Sequence, residues 1–383
     1  MFEYFPGNYV WNLGVVATLN SGGLIDEVDR ACRPIKEAAA QGEDAGTPDL
    51  LRAWTALTDQ LVAQAEQAEA ANHTRTAGQL YFRATNYLCQ AERMLSNSDP
   101  HRIPTYRRVL ELAQKAFDLK DPRVTRVAIP YEGTTLPAYF SAAPGDGPRP
   151  VVVLVNGLDS TKEHMYSSSH WEELAARGIS CLMLDQPGTG EALRLQGLTA
   201  RIDAEAWAAA AVDWLETRPD VDRSRIGITG WSLGGYYAPR AAAFEKRFAL
   251  CVAWGANHDW GAVQRRRLER EGERPVPHYW EHVLWVWGHT DLKEFIAFAD
   301  GVNLEGVVER ITVPFLVAHG ANDRQIPLEY AHRSHDQAVN SPKRELRVFT
   351  PEEGATEHIG LDHLPHVSVF IADWVADTFA EIP

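Results

Sequence analysis

The run Gly230-Trp231-Ser232-Leu233-Gly234 carries the residue types and spacing best suited to chemistry. It follows an apolar run, Arg225 to Thr229, and precedes a helix-like stretch over 235–244. That is the strand–turn–helix setting which a G-x-S-x-G nucleophile elbow requires. The glycines permit a turn too tight for side chains, and the serine oxygen is held out at the end of the strand. The N–H of Leu233, at the helix start, then faces a developing oxyanion. A glycine-rich turn that merely contains a serine is the plainer alternative, and the flanking elements argue against it. A serine nucleophile needs a base, and the base needs an orienting acid. The expected chain order after the elbow is acid, then histidine. Asp323 lies in His319-Gly320-Ala321-Asn322-Asp323, after the apolar run 314–318, and His358 follows the run 346–349 by a short loop. Among 14 histidines, His363 and His366 are the rivals, and both read as residues at the start of the final helix. Asp323 could instead be a turn-forming residue. Glu329, the nearest rival acid, reads as an exposed helical carboxylate.

A second oxyanion donor should come from the turn after the first buried strand, Asn156-Gly157-Leu158-Asp159-Ser160-Thr161-Lys162-Glu163, where the N–H of Leu158 is the natural candidate. Lys162 and Glu163 read as a structural ion pair. Asp185-Gln186-Pro187-Gly188-Thr189-Gly190-Glu191 resembles a phosphate loop only superficially: no Walker lysine follows it, so it reads as a tight turn. His278-Tyr279-Trp280-Glu281-His282 matches H-x-x-E-H, the inverted zinc-peptidase signature. No downstream carboxylate ligand can be singled out, so in the favoured reading Trp280, Trp285, Trp287 and their histidines pack the lid or line its pocket, with no metal. Trp231, His258 and Asp259 are the candidates for facing substrate; simple loop capping is the alternative for the last two.

These residues need a scaffold. The composition, 45% hydrophobic and 23% charged over 383 residues, is that of a globular chain long enough for two domains. Apolar residues from Ala77 to Leu95, from Tyr106 to Phe117, and along 50–71 recur at helical spacing. The pattern changes near Asp121-Pro122 to short apolar runs alternating with helix-like stretches. Such alternation implies a mainly parallel sheet covered by helices. The expected organisation is a helical domain at 1–120 and an α/β domain at 121–383, with a lid-like insertion at 258–305. The formal net charge of −15 disfavours nucleic acid and anionic membrane as partners. No apolar run approaches the roughly 18–20 residues of a membrane span. The N-terminal residues lack the basic region of a secretory signal. The scattered Cys32, Cys89, Cys181 and Cys251 suit buried free thiols, and together these features imply a cytoplasmic protein.

The runs 156–163, 185–191 and 230–235 together resemble the α/β-hydrolases related to 2,6-dihydroxypseudooxynicotine hydrolase, to which FrsA-like proteins and fungal polyketide-shortening hydrolases are similar. The resemblance covers most of 120–383 and extends more weakly into the helical part. It implies an α/β-hydrolase fold with a helical N-terminal cap, a triad of Ser232, Asp323 and His358, no metal or cofactor, and commonly a homodimer. Several members cleave a carbon–carbon bond beside a ketone on an aromatic compound. The expected function is a serine hydrolase acting on an aromatic or apolar small-molecule carbonyl substrate. The alternatives are an ester or lactone hydrolase, or a non-catalytic FrsA-like binding protein. The aromatic residues Tyr4, Phe5, Trp11, Trp260, Trp280, Trp285 and Trp287 suit an aromatic ligand, with core packing as the plainer role for most of them.

Overall fold

A computed structural model describes residues 1–42, 44–269 and 274–382. Eight strands form one sheet: β1 (Val124–Tyr131), β2 (Thr134–Ser141), β3 (Arg149–Val155), β4 (Ser180–Leu184), β5 (Val221–Trp231), β6 (Leu250–Trp254), β7 (Phe315–Gly320) and β8 (Arg344–Phe349). Their order is β1-β2-β4-β3-β5-β6-β7-β8. The β1–β2 and β2–β4 pairs are antiparallel, and every later pair is parallel.

The apolar runs are continuous because helices cover both faces of the sheet. Alternate residues of one strand enter two different cores. Val152, Leu154, Val252 and Leu316 join Trp171, Val367 and Ile371 on one face. Val151, Val153, Ile228 and Val317 join Trp207, Ala211 and Tyr237 on the other.

Residues up to 120 are helical, and the longest helices there are Thr47–Ala70, Thr74–Arg93 and Arg102–Lys120. Their apolar stripes do not form a core of their own. They continue into the first core, where Phe117 meets Tyr139 of β2 and Tyr166 edge-on with ring centres 4.6 Å apart in each case. The segment 258–305 supplies helices Trp260–Glu269, Tyr279–Trp287 and Leu292–Ala299, which join the second core through Trp260, Val283, Trp287 and Phe295. Residues 270–273 of that segment lie outside the described residues.

Two buried ionic clusters tie the helical part to the sheet. Glu92 accepts from Arg102 Nε (2.8 Å) and from Arg194 Nε and Nη2 (2.7 and 2.9 Å), with all three side chains 1% exposed. Burial opposes the charge on Glu92, but the two guanidiniums outweigh it and bring its pKa to about 2. Lys162 and Glu163 form the expected ion pair at 2.8 Å, inside a larger buried group with Asp185 and Glu191. Tyr106 and Tyr139 both donate to Glu163. The turn 185–191 is therefore part of a packing device: Asp185 accepts the N–H groups of Lys162 and Glu191, both at 2.8 Å. All four cysteines are buried and free. Among the described residues no helix is long and apolar enough to cross a membrane.

Candidate active site

In a parallel sheet the strand C-termini share one edge, and loops leaving that edge converge. The registers Val155↔Gly230, Trp231↔Trp254, Trp254↔Ala318 and Gly320↔Phe349 put the ends of β3, β5, β6, β7 and β8 side by side. Gly157, Ser232, Asn257, Asp323 and His358 leave from these ends.

Ser232 sits between β5 and the helix Gly234–Phe244 with φ +60°, a left-handed backbone that non-glycine residues rarely adopt. The strain is held by hydrogen bonds on both sides: Ser232 N–H donates to Trp254 O (2.9 Å), and Ser232 O accepts from Gly235 N–H (2.9 Å). The turn is as tight as the sequence implied. A Cβ on Gly230 would stand 2.1 Å from Gly234 O. The loop after β3 approaches just as closely, since a Cβ on Gly157 would stand 2.9 Å from Ser232 Cβ and 3.1 Å from its Oγ.

His358 Nε2 lies 2.9 Å from Ser232 Oγ, and its Nδ1 lies 2.9 Å from Asp323 Oδ2 and 3.2 Å from Oδ1. Asp323 is buried, and its Oδ1 accepts the N–H groups of Gln325 (2.8 Å) and Ile326 (3.0 Å). Burial alone would raise its pKa. The adjacent His358, followed by His319 and the Ile326 N–H, overcomes burial and lowers it to about 2. The carboxylate is thus charged and faces Nδ1, which favours the tautomer that leaves Nε2 free to accept from the serine hydroxyl. His363 stacks on His366 with ring centres 5.2 Å apart, at the start of helix Leu364–Glu381. Glu329 lies in the first turn of helix Leu328–Gln337.

The N–H groups of Leu158 and Leu233 donate to no other group of the protein among the described residues. Ser160 fixes the Leu158 turn. Its Oγ donates to Asn156 Oδ1 (2.9 Å) and accepts from Gly157 N–H (3.1 Å) and Trp231 Nε1 (3.0 Å). Trp231 therefore braces this turn with its indole N–H while its side chain also borders the cavity beside Ser232. The space between its walls, including the part open to solvent, is about 950 Å³. Ser232, His358, Leu158 and Leu233 line it together with Leu13 and Gln90 of the N-terminal helices. Arg93 lines it too. It pairs with Asp159 and donates to Pro275 O at 2.7 Å. His164, another lining residue, is pushed by burial to about 4 and stays neutral at pH 7.

Two candidates for facing substrate lie elsewhere. His258 is fully buried behind the edge, with Nδ1 2.9 Å from Ser334 Oγ and Nε2 3.5 Å from Glu305. Asp259 accepts from Ala262 N–H (2.9 Å) and bridges to Asn303. Their neighbours Asn257 and Trp260 line the cavity instead. A one-residue step along an extended chain reverses side-chain direction, which sequence position alone does not resolve. Of the seven aromatic residues suited to a ligand, Trp260 borders the cavity, whereas Phe5 and Trp11 pack on each other in the helical part. The H-x-x-E-H residues also divide. His278 has left-handed backbone and precedes helix Tyr279–Trp287, Glu281 accepts from Ser96 (2.6 Å), and His282 Nε2 lies 3.3 Å from Leu158 O. Among the described residues no three His, Cys, Asp or Glu side chains gather as a metal site. No sequence signal marked Gln325, or Leu13 and Ala17 of helix Tyr9–Asn20, as residues that line the cavity.

The sheet order, the serine turn and the covering helices define an α/β-hydrolase. The esterase FrsA-like family model matches residues 49–262, more than half of the chain, and the prolyl oligopeptidase family model matches 166–379. The chain belongs to the esterase FrsA-like family, and by the second match its C-terminal half also falls within the prolyl oligopeptidase family. It is 28% identical to the 2,6-dihydropseudooxynicotine hydrolase of Paenarthrobacter nicotinovorans, over 85% of this chain and 83% of that one. It is 31% identical to the hydrolase acrC of Aspergillus aculeatus, over 70% of this chain and 66% of that one. The crystal structure of 2,6-dihydroxy-pseudo-oxynicotine hydrolase has the same fold, with TM-score 0.75, 24% identity and 95% of each chain covered. The protein is an α/β-hydrolase enzyme.

Proposed function

We propose that the protein is a serine hydrolase in which Ser232 attacks the carbonyl carbon of a small-molecule substrate. The observation that carries this reading is the unbroken relay of two 2.9 Å contacts from Ser232 Oγ through His358 to Asp323. His358 takes the serine proton as the tetrahedral adduct forms, then returns it to the leaving group. Asp323 holds the imidazole and stabilises its charged form. The N–H groups of Leu158 and Leu233 receive the oxyanion, and Gly157 lets the first of these turns approach the serine. Water then releases the acyl half by the same steps in reverse.

The substrate we infer is an aromatic or apolar carbonyl compound, and the bond cleaved is a carbon–carbon bond beside an aryl ketone. The similarity to the Paenarthrobacter hydrolase supports this choice. In such a cleavage the leaving carbon must be protonated as it departs, and an electron-rich hydroxylated ring makes that feasible. Ester or lactone hydrolysis is the second reading, favoured by the esterase description of the family. We further infer that residues 1–120 act as a cap domain on a catalytic domain at 121–383, and that 258–305 serves as a lid. The Leu13, Gln90 and Arg93 walls of the cavity support the first inference, and Trp260 supports the second. A cytoplasmic homodimer completes the proposal and is checked by light scattering of the purified protein.

Ser232→Ala tests the mechanism. The expected loss of turnover is on the order of 10⁴-fold or more on aryl ketones, aryl esters and lactones, with an unchanged circular dichroism spectrum. Retention of near wild-type hydrolysis eliminates the mechanism. Fluorophosphonate labelling of the wild type is expected at Ser232.

A further inference from the structure

Helix Tyr9–Asn20 lies far in sequence from the serine, acid and histidine loops, yet it bonds to two of them. At its N-terminal end the Tyr9 hydroxyl accepts from Gln325 Nε2 at 3.0 Å. The backbone N–H of that same Gln325 donates to Asp323 Oδ1 at 2.8 Å. Arg324, between the two, places its guanidinium 4.1 Å from the centre of the Tyr9 ring. Tyr9 is 7% exposed and Gln325 3%, so neither partner has water as a ready substitute.

At the other end of the helix Asn20 Nδ2 donates to Leu361 O at 2.9 Å. Leu361 closes the turn that follows His358. That turn is strained: Ile359 has φ +49° and Gly360 has φ +71°. Left-handed backbone at a branched residue persists only where its surroundings hold it. Trp254 Nε1 holds Ile359 O at 2.7 Å, and Asn20 holds the next carbonyl but one. Between its two ends the helix turns Leu13 and Ala17 to the cavity.

We propose that helix Tyr9–Asn20 is a brace that sets the acid loop against the histidine loop, with Tyr9 and Asn20 as positioning residues for the Asp323–His358 pair. The proposal rests on the reading of Ser232, His358 and Asp323 as the catalytic relay. Neither residue touches the reacting atoms. Each acts on a loop whose partner loop is held by the opposite end of one rigid helix, so displacement of the helix changes the separation of acid and base. The same helix walls the cavity, and occupation of the cavity by ligand therefore bears on the relay.

The test uses the full chain and two isosteric or small changes, Tyr9→Phe and Asn20→Ala. The rate of Ser232 labelling by a fluorophosphonate is expected to fall about 3- to 30-fold in each, because small misplacement of a catalytic group is costly. For hydrolysis of a 4-nitrophenyl ester the loss should sit in kcat, with KM within about twofold. The downfield proton resonance of His358 Nδ1–H should shift or broaden. Gln325→Leu breaks the Tyr9 bond from its other side and should reproduce the Tyr9→Phe resonance change. Wild-type labelling rates and an unmoved resonance in both helix variants, with only the melting temperature lowered, overturn the brace. If the wild type itself is not labelled at Ser232, the relay reading fails. The histidine resonance then decides the brace alone: a shift in the helix variants supports it, and no shift overturns it.

Discussion

Replacing Asp323 by asparagine isolates the orienting role of the carboxylate, because the surrounding hydrogen bonds dictate how the amide must sit. Asp323 Oδ1 accepts two backbone N–H groups, from Gln325 and Ile326, at 2.8 and 3.0 Å. An asparagine keeps its carbonyl oxygen there, since an NH₂ group would face two donors. Its NH₂ then occupies the Oδ2 position, 2.9 Å from His358 Nδ1. A donor now faces Nδ1, so Nδ1 must be the acceptor and Nε2 must carry the proton. Nε2–H points at Ser232 Oγ and cannot accept the proton that attack releases. The same exchange of acid for amide in a Ser-His-Asp relay costs about 10⁴-fold in kcat, or roughly 5.5 kcal/mol of barrier. The expected loss in kcat for 4-nitrophenyl ester hydrolysis is therefore about 10³- to 10⁴-fold. The blank is Ser232→Ala. Asp323→Asn should be no better than Asp323→Ala, because the amide enforces the wrong tautomer where alanine merely leaves it unfixed. An Asp323→Asn enzyme within tenfold of wild type refutes the orientation argument.

Acid should weaken the fold through carboxylates held below their ordinary pKa. Asp323 moves from 3.8 to about 2, and Glu92 from 4.5 to about 2. A lowered native pKa gives stability that is present above the ordinary value and lost as pH falls through the native one, roughly 2 to 3 kcal/mol for each group. Urea midpoints should hold between pH 5 and 7 and fall steeply from about pH 4.5 to 2; a midpoint unchanged at pH 3 contradicts the assignment. Gly157→Ala places a methyl group 2.9 Å from Ser232 Cβ, with an expected 10- to 100-fold loss in kcat/KM and a folded protein; full activity would show that the loop yields freely.

Parts of the site that depend on local backbone chemistry were legible in the chain. The glycines around Ser232 answer a local steric demand, as the 2.1 Å approach at Gly230 makes plain. The apolar runs of β3, β4, β6 and β7 follow from burial on both faces, and a single strand is enough to reveal that. The elbow and its acid-then-histidine order direct attention to Asp323, three residues past such a run, and to His358, nine residues past the half-buried edge strand β8. His258 and Asp259 follow one too, and they turn away from the cavity while Asn257 turns in. Proximity to a strand end fixes the loop, and the φ/ψ choices within the loop fix the side chain.

The amino-acid sequence by itself determined the alternation of strands and helices, the serine turn and the resemblance to the FrsA-like family. Tertiary structure alone decided which helix walls the cavity. An apolar stripe states that a face is buried and leaves the partner unnamed, so nothing in the stretch 9–20 foretold its bonds to Gln325 and Leu361. Nor could Glu92 and Arg194, 102 residues apart, be matched among 37 basic and 52 acidic side chains. Charge pairing at that separation is a product of chain topology, because only the closed fold removes the water that would otherwise satisfy each ion separately.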